Sequence, residues 1–268
     1  MKSNKLKIGG MAKPDGIMFK SSNHMVIVRK EDDNVSINKR KVHSLLNLKI
    51  FQKPFLRGLI GILELPYQII MNIFWVKKKV NRSFKESIQF PLKFFILICF
   101  WVGFGVIQKP IYDAFSPFIP MPILAKLSMF FLLIVYAVAL YDILFGSQLL
   151  QYHGAEHKII YTYAHNKELT VENVKKSPKE NVRCGSSFIA ILLMLFFLPF
   201  ETNWWLVLIY ISIAYELMTF ASNHEKSILS KIIFAPGYII QLFVTREPTS
   251  SQIRTGIIGF NSLLESGK

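Results

Sequence analysis

The chain is poor in cysteine and in acidic residues, and the shortage of cysteine excludes a class of protein. Its 268 residues include two cysteines, Cys99 and Cys184. Two thiols so far apart cannot build the disulfide framework of a small secreted domain, and we expect no disulfide between them. Met1–Gly10 has no apolar run, so we expect no cleavable signal peptide. Seventeen acidic residues stand against 32 Lys and Arg, which gives a net charge of +15.

Long apolar runs are plentiful, and they predict a membrane protein. The mean hydropathy is +0.34. A helix needs about 20 apolar residues to cross the hydrocarbon core, and one run clearly has that length. We predict a mainly α, polytopic helical membrane protein with about four transmembrane helices, interfacial or re-entrant helices and a small N-terminal β-hairpin module. The four predicted spans contain Phe94–Ile107, Ile123–Phe145, Phe188–Phe200 and Trp204–Ala221.

The distribution of the positive charge predicts the orientation of these spans. Lys and Arg crowd the stretch before Phe94, the loop from Lys158 to Arg183 and the tail from Lys226 onward. Loops rich in Lys and Arg stay on the cytoplasmic side of a membrane, so we expect both termini to be cytoplasmic. Anionic lipid at the cytoplasmic face then explains the net charge, and a nucleic-acid partner is not expected.

Composition divides the chain into four segments. Short apolar runs at Gly16–Lys20 and Met25–Arg29 predict a β-hairpin, and the charged Lys30–Lys41 stretch is typical of an exposed loop or linker. The predicted segments are an N-terminal cytoplasmic module (1–50), an interfacial or re-entrant helix with a basic segment (51–93), a transmembrane domain (94–244) with a cytoplasmic loop at 146–186, and an amphipathic tail (245–268).

We predict that two further apolar segments form interfacial or re-entrant elements and do not cross the membrane. The segment 59–76 is interrupted by Glu64 and Pro66, and 228–244 is broken at Pro236-Gly237. Beyond them, Ser250 or Ser251 is expected to cap a tail helix with Ile253, Ile257 and Phe260 along one side.

The most informative motif is His153-Gly154-Ala155-Glu156-His157. Two histidines four residues apart lie on the same face of a helix, and imidazoles at that spacing can hold one divalent ion, for which Zn²⁺ is the usual choice. Glu156 is a candidate catalytic base that activates water, or a third ligand. The pattern H-x-x-E-H also marks one group of zinc metallopeptidases. The alternative is a set of polar residues that form hydrogen bonds at a membrane interface.

Further ligands must come from elsewhere in the chain. Cys184 directly precedes the third predicted span, where the positive end of a helix favours a thiolate, so it is a candidate ligand or nucleophile; an inert thiol is the alternative. Glu216 lies inside an apolar span, where carboxylates are costly, and is a candidate ligand or a partner for a cation or tyrosine. The other candidate site residues are Glu172, Arg183 and His224.

Several of these motifs together resemble the YqhQ-type family of bacterial membrane proteins. The resemblance rests on His153–Lys158, Leu169–Val174, Arg183–Ser187, Pro236-Gly237 and Thr245–Pro248. Pro54, Arg57 and Gly58 match its early apolar segment, and Gly9-Gly10 with Gly16–Met18 resembles its N-terminal motif. That motif usually continues with Gln-Ala and Glu-Gly, where this chain has Met11 and Asp15. The resemblance implies a protein of unknown function, described as a predicted metal-dependent enzyme.

Two hypotheses of function follow from these residues. The first is a membrane-embedded, zinc-dependent hydrolase, for which a peptidase is the expected class. In it His153 and His157 bind Zn²⁺, Glu216 or Cys184 supplies a third ligand, and Glu156 activates water. The second is a non-catalytic accessory or assembly factor of a membrane protein complex, in protein insertion, translocation or quality control. Transport is least supported, since the predicted spans offer few polar groups to line a pathway.

Overall fold

The computed structural model describes residues 8–31, 34–42, 44–64, 110, 113–114, 148–196 and 204–266. The strands are β1 Gly9–Lys13, β2 Gly16–Lys20, β3 His24–Glu31 and β4 Asn34–Lys41, followed by 3-10 helices at Leu45–Asn47 and Lys49–Gln52. We label the helices α1 (56–64), α2 (148–164), α3 (Val171–Lys176), α4 (Gly185–Phe196), α5 (Trp204–Asn223), α6 (Ile228–Val244) and α7 (Ser250–Ser266).

The N-terminal strands form one antiparallel sheet in the order β1-β2-β3-β4. The predicted hairpin is confirmed, with Gly16 opposite Arg29 and Lys20 opposite Met25. The linker predicted over Lys30–Lys41 is wrong for most of its length, because Asn34–Lys41 is strand β4. Its charged side chains are compatible with an edge strand, where charge prevents pairing with other chains.

The last helix of the chain packs against the first strands. Ile253 and Phe260 of α7 are buried with Ile17, Val28 and Ile159 in a core formed by the sheet, α2, α3 and α7. Phe260 meets Phe19 edge-to-face at a centroid distance of 5.1 Å. The amphipathic tail helix is thus confirmed. Its cap is Thr249, whose hydroxyl accepts a hydrogen bond from the Gln252 N–H, and not Ser250 or Ser251.

The helices α4, α5 and α6 form a second, apolar core. Ile191, Ala214, Ala221 and Phe234 are buried between them. Of the described residues, α5 alone contains a stretch long and apolar enough to cross a membrane, Trp205–Asn223, with a mean hydropathy of 1.6. The predicted spans at 94–107 and 123–145 lie outside the described residues, as do 65–93, Cys99 and 197–203.

The predicted break at Pro236-Gly237 is wrong, because α6 continues through Pro236. Pro236 removes one hydrogen-bond donor from the helix. The next residue, Gly237, allows α6 to approach α4 closely. A Cβ at Gly237 would lie 2.7 Å from the Ser187 Oγ. The proline–glycine pair is therefore part of a helix contact.

The short helix α1 is docked on α5 by an ion pair. The Arg57 guanidinium donates two hydrogen bonds to the Glu216 carboxylate, with Nε at 2.8 Å from Oε1. The Phe55 N–H donates to the same carboxylate at 3.1 Å. Glu64, at the end of the described part of α1, accepts from the Ser44 hydroxyl and the Leu45 N–H. These contacts connect the sheet to the apolar helices.

Candidate metal centre

Helix α2 carries both histidines of the H-x-x-E-H motif on one face, as predicted. Their ring centroids are 4.4 Å apart. The opposite face of α2 is fixed in the core of the sheet by Tyr152, Ala155 and Ile159. Packing of that face therefore sets the direction in which the two imidazoles point.

A backbone carbonyl fixes each imidazole through its Nδ1 atom. The His153 Nδ1 lies 2.8 Å from the Val244 carbonyl oxygen at the end of α6. The His157 Nδ1 lies 2.5 Å from the Lys179 carbonyl oxygen. A carbonyl can only accept, so Nδ1 carries a proton in each ring, and in the neutral imidazole the lone pair is then on Nε2. This is how proteins usually orient histidines that bind metals.

Cys184 completes a group of three potential ligands. One ring nitrogen of His153, one ring nitrogen of His157 and the Cys184 Sγ all lie within 4.8 Å of one another. The His153 Nε2 is 3.4 Å from the sulfur, which also accepts a hydrogen bond from the Ser186 hydroxyl at 3.1 Å. Cys184 lies directly before the start of α4 at Gly185.

The His157 Nε2 atom is buried and forms no hydrogen bond to any described residue. A buried polar atom without a partner costs about 1–3 kcal/mol, so this atom requires an explanation. Tetrahedral Zn²⁺ with nitrogen at about 2.05 Å and sulfur at about 2.3 Å separates the two donors by about 3.6 Å. The observed 3.4 Å between the His153 Nε2 and the Cys184 Sγ is close to that value. This pair of donors therefore has a separation that fits Zn²⁺.

Glu156 is buried beside the histidines and beneath the sheet. Its Oε2 lies 3.5 Å from the His157 Nε2. Burial raises the pKa of the Glu156 carboxyl to about 7, and the neighbouring His153 opposes that rise. A Cβ at Gly10 of β1 would lie 2.5 Å from the Glu156 Cγ and Oε1. The sequence motif did not predict this contact, although Gly9-Gly10 was part of the resemblance.

Gly154, inside the motif, allows the segment after α6 to lie directly on α2. A Cβ at this position would lie 2.1 Å from the Arg246 carbonyl oxygen. The Arg246 N–H in turn donates to the Leu150 carbonyl at 3.0 Å. The segment Thr245–Pro248, whose role was not evident from sequence, thus packs on α2 beside the histidines.

Two buried side chains hold the segment that supplies Cys184. Gln241 of α6 accepts from the Asn181 N–H at 2.7 Å and donates to the Asn181 carbonyl at 2.9 Å. The Lys158 ammonium donates to the carbonyls of Lys175 and Ser177 and forms an ion pair with Glu247 at 3.0 Å. Residues 175–184 are therefore fastened to both α2 and α6.

The remaining candidate residues are not among the three grouped donors. Glu216 binds Arg57, so we leave it out of the ligand set. Glu172 is exposed in the first turn of α3, where its negative charge interacts favourably with the positive end of the helix dipole. Arg183 and His224 are exposed as well, and the His224 ring bonds to the Phe220 carbonyl. These four residues therefore stay outside the group that His153, His157 and Cys184 form among the described residues.

The assignment of Glu216 to the ion pair gives a first prediction. Glu216→Gln should leave zinc content unchanged and lower the free energy of unfolding by roughly 1–3 kcal/mol, because Arg57 loses its charged acceptor. Elemental analysis and thermal unfolding measure the two effects. The exposed Glu225→Gln variant is the control and should change neither. Loss of zinc from a folded Glu216→Gln protein would return Glu216 to the ligand set.

Comparison with known proteins identifies the family but no activity. The chain is similar to Uncharacterized protein YqhQ of Bacillus subtilis (strain 168), with 27% identity over 295 residues that cover 96% of this chain and 92% of that protein. No solved structure matches it. A family model described as "Protein of unknown function (DUF1385)" matches residues 53–266, which excludes the strands β1 to β4. The chain therefore belongs to the DUF1385 family of proteins of unknown function.

Proposed function

We propose that the protein is an integral membrane protein with a zinc-dependent hydrolase site at its cytoplasmic face. Membrane insertion is supported by the length of α5 and by the large apolar side chains that α4 and α5 expose, among them Ile189, Trp205 and Ile209. Contiguous apolar surface of this kind needs a cover, and a bilayer supplies one. The basic segments 158–183 and 226–246, which flank the site, support the cytoplasmic orientation.

One observation carries the metal assignment: the buried His157 Nε2 has no hydrogen-bond partner among the described residues and lies beside two other donors. Carbonyl bonds to both Nδ1 atoms leave the Nε2 atoms as ligands, and Cys184 supplies the third donor. Three protein donors leave one tetrahedral position open, which is typical of catalytic zinc sites.

A bound Zn²⁺ would supply the Lewis acidity that activates water for attack on a carbonyl. Of the described residues, Glu156 is placed to accept the proton of that water, since its Oε2 is 3.5 Å from the His157 Nε2. The Val244 and Lys179 carbonyls keep both imidazoles in the required tautomer. Gly10 and the sheet cover the carboxyl of Glu156 and exclude bulk water from that side.

The experiment compares wild type with Glu156→Gln, both purified in lipid nanodiscs and loaded with Zn²⁺. We expect about one zinc per chain in both proteins. Cleavage of a quenched-fluorescence peptide library should be lost on chelation and reduced about 10²- to 10⁴-fold in Glu156→Gln, as for removal of a general base. Full zinc with no cleavage by the wild type would reject the hydrolase and retain the metal site. Wild-type protein without zinc would reject both.

A structural metal in a non-catalytic accessory or assembly factor is the second candidate. It is favoured by the position of the ligands at a junction, because His153 and His157 belong to the sheet unit whereas Cys184 adjoins α4. A metal there would join the two units and present the sheet to a membrane protein partner. This candidate predicts that the zinc-loaded protein cleaves no peptide and that removal of the metal by a chelator lowers its thermal stability.

A further inference from the structure

The helix α6 exposes an apolar stripe along its whole length. The exposed fractions of Ile228, Ile232 and Leu242 are 76%, 60% and 61%. Leu229, Ile239 and Phe243 are also exposed, so the stripe recurs every three to four residues. The opposite face is buried by Phe234, Gly237 and Gln241. A helix that exposes its apolar face requires an apolar partner.

Both ends of α6 lie at the same end of the α4–α5 pair. The rings of Phe196 and Tyr210 are 5.4 Å apart, near the residues that connect the two helices. The start of α4 at Gly185 and the end of α5 at Asn223 therefore lie at the opposite end. The helix α6 begins at Ile228, five residues after Asn223, and hydrogen bonds from the N–H groups of His224 and Ser227 close that turn.

The end of α6 returns to the start of α4. The Val244 carbonyl binds the His153 ring, which contacts Cys184, the residue before α4. Gln241 binds Ser187 in the first turn of α4 at 2.8 Å. A helix whose two ends meet the same end of a membrane hairpin does not cross the bilayer. Its 17 residues, about 25 Å, are also fewer than the roughly 20 needed to cross.

Charges around α6 fit a position at the headgroups. Lys226 and Lys231 are exposed at its beginning, and Arg246 is exposed just after its end. A spanning helix would have cations mainly at one end. In the middle of α6, burial and then the carboxylates of Glu225 and Glu180 raise the pKa of the Tyr238 phenol.

From these contacts we infer that α6 lies in the plane of the membrane, with its apolar stripe inserted among the acyl chains of the cytoplasmic leaflet. Amphipathic helices with flanking Lys and Arg bind anionic interfaces in this way. The inference rests on the proposed membrane insertion but on neither zinc nor hydrolysis. It holds the His153 end of α6, and with it the candidate metal centre, at the depth of the lipid headgroups.

Photolabelling of the unmodified protein in anionic-lipid nanodiscs tests this arrangement. One phospholipid carries a diazirine near the top of its acyl chain and a second carries it at the methyl end. We expect the first to label both ends of the α6 stripe, Ile228 and Phe243, to within about two-fold after peptide mass spectrometry. Phe234 and Ile240, on the buried face, are the unlabelled controls.

Labelling of Leu208 and Ile209 on α5 by the methyl-end reagent distinguishes failure of the proposed membrane insertion from failure of the in-plane position of α6. If neither reagent labels α5, the proposed membrane insertion itself is rejected, and the in-plane helix with it. If α5 is labelled but the α6 stripe is not, another part of the chain or a second copy covers the stripe and the inference is overturned. Top-of-chain labelling at one end of α6 with methyl-end labelling at its middle would also overturn it, in favour of a crossing helix.

Discussion

Replacing His157 with alanine should reduce the zinc content from about one ion per chain to background. The substitution removes the one Nε2 atom that is buried without a hydrogen bond, and leaves only two donors. Loss of an outer partner of a metal ligand alone costs about 10- to 100-fold in affinity, so loss of a ligand should cost more. Elemental analysis after dialysis against a weak chelator measures the effect.

His165→Ala is the matched control, because His165 lies just past the same helix but is exposed and bonds to the Tyr161 carbonyl. It should keep its zinc. Cys184→Ser adds a spectroscopic test: Co²⁺ in the wild type should show thiolate-to-metal charge transfer, and the serine variant should not. A folded His157→Ala protein with a full complement of zinc would remove His157 from the site.

Gly154→Ala should be among the most destabilising single substitutions in α2, although alanine favours helices. Alanine gains about 1 kcal/mol over glycine in a helix interior. Its Cβ would, however, lie 2.1 Å from the Arg246 carbonyl oxygen, and that backbone must move. Overpacking of this kind costs roughly 1–3 kcal/mol or more, so we expect a net loss of about 2 kcal/mol. Thermal unfolding in detergent measures it.

Gly185→Ala is the control for this prediction, because a Cβ there meets nothing within 4 Å. That variant should be as stable as the wild type or slightly more stable. The displaced Arg246 segment adjoins Val244, whose carbonyl orients His153, so Gly154→Ala should also weaken zinc binding. Unchanged stability of Gly154→Ala would show that the segment after α6 does not pack closely on α2.

Local patterns in the sequence predicted the parts of the site that depend on one helix. The four-residue spacing of His153 and His157 requires only helical periodicity, and α2 places both rings together as expected. The β-hairpin was predictable for the same reason, since its register follows from a short turn.

Contacts between distant residues were the ones that the sequence did not determine. A carboxylate in an apolar helix needs a partner, but nothing in the spacing selects Arg57, which precedes Glu216 by 159 residues. The roles of Gly10 and Gly154 depend on backbones that approach from elsewhere. Strand β4 was missed because its charges are typical of a linker, whereas pairing with β3 gives its backbone hydrogen-bond partners.

The core that joins the first strands to the last helix has a consequence for how the chain is made. Ile17 and Val28 leave the ribosome early, but the residues that cover them, Gly256 and Gly259 of α7, are synthesised long afterwards. The sheet must therefore keep an apolar face open until α7 has been made. Such long sequence separation slows folding. The metal ligands are likewise held in place only after Gln241 and Val244 have emerged, so the centre is assembled long after His153 and His157 have been synthesised.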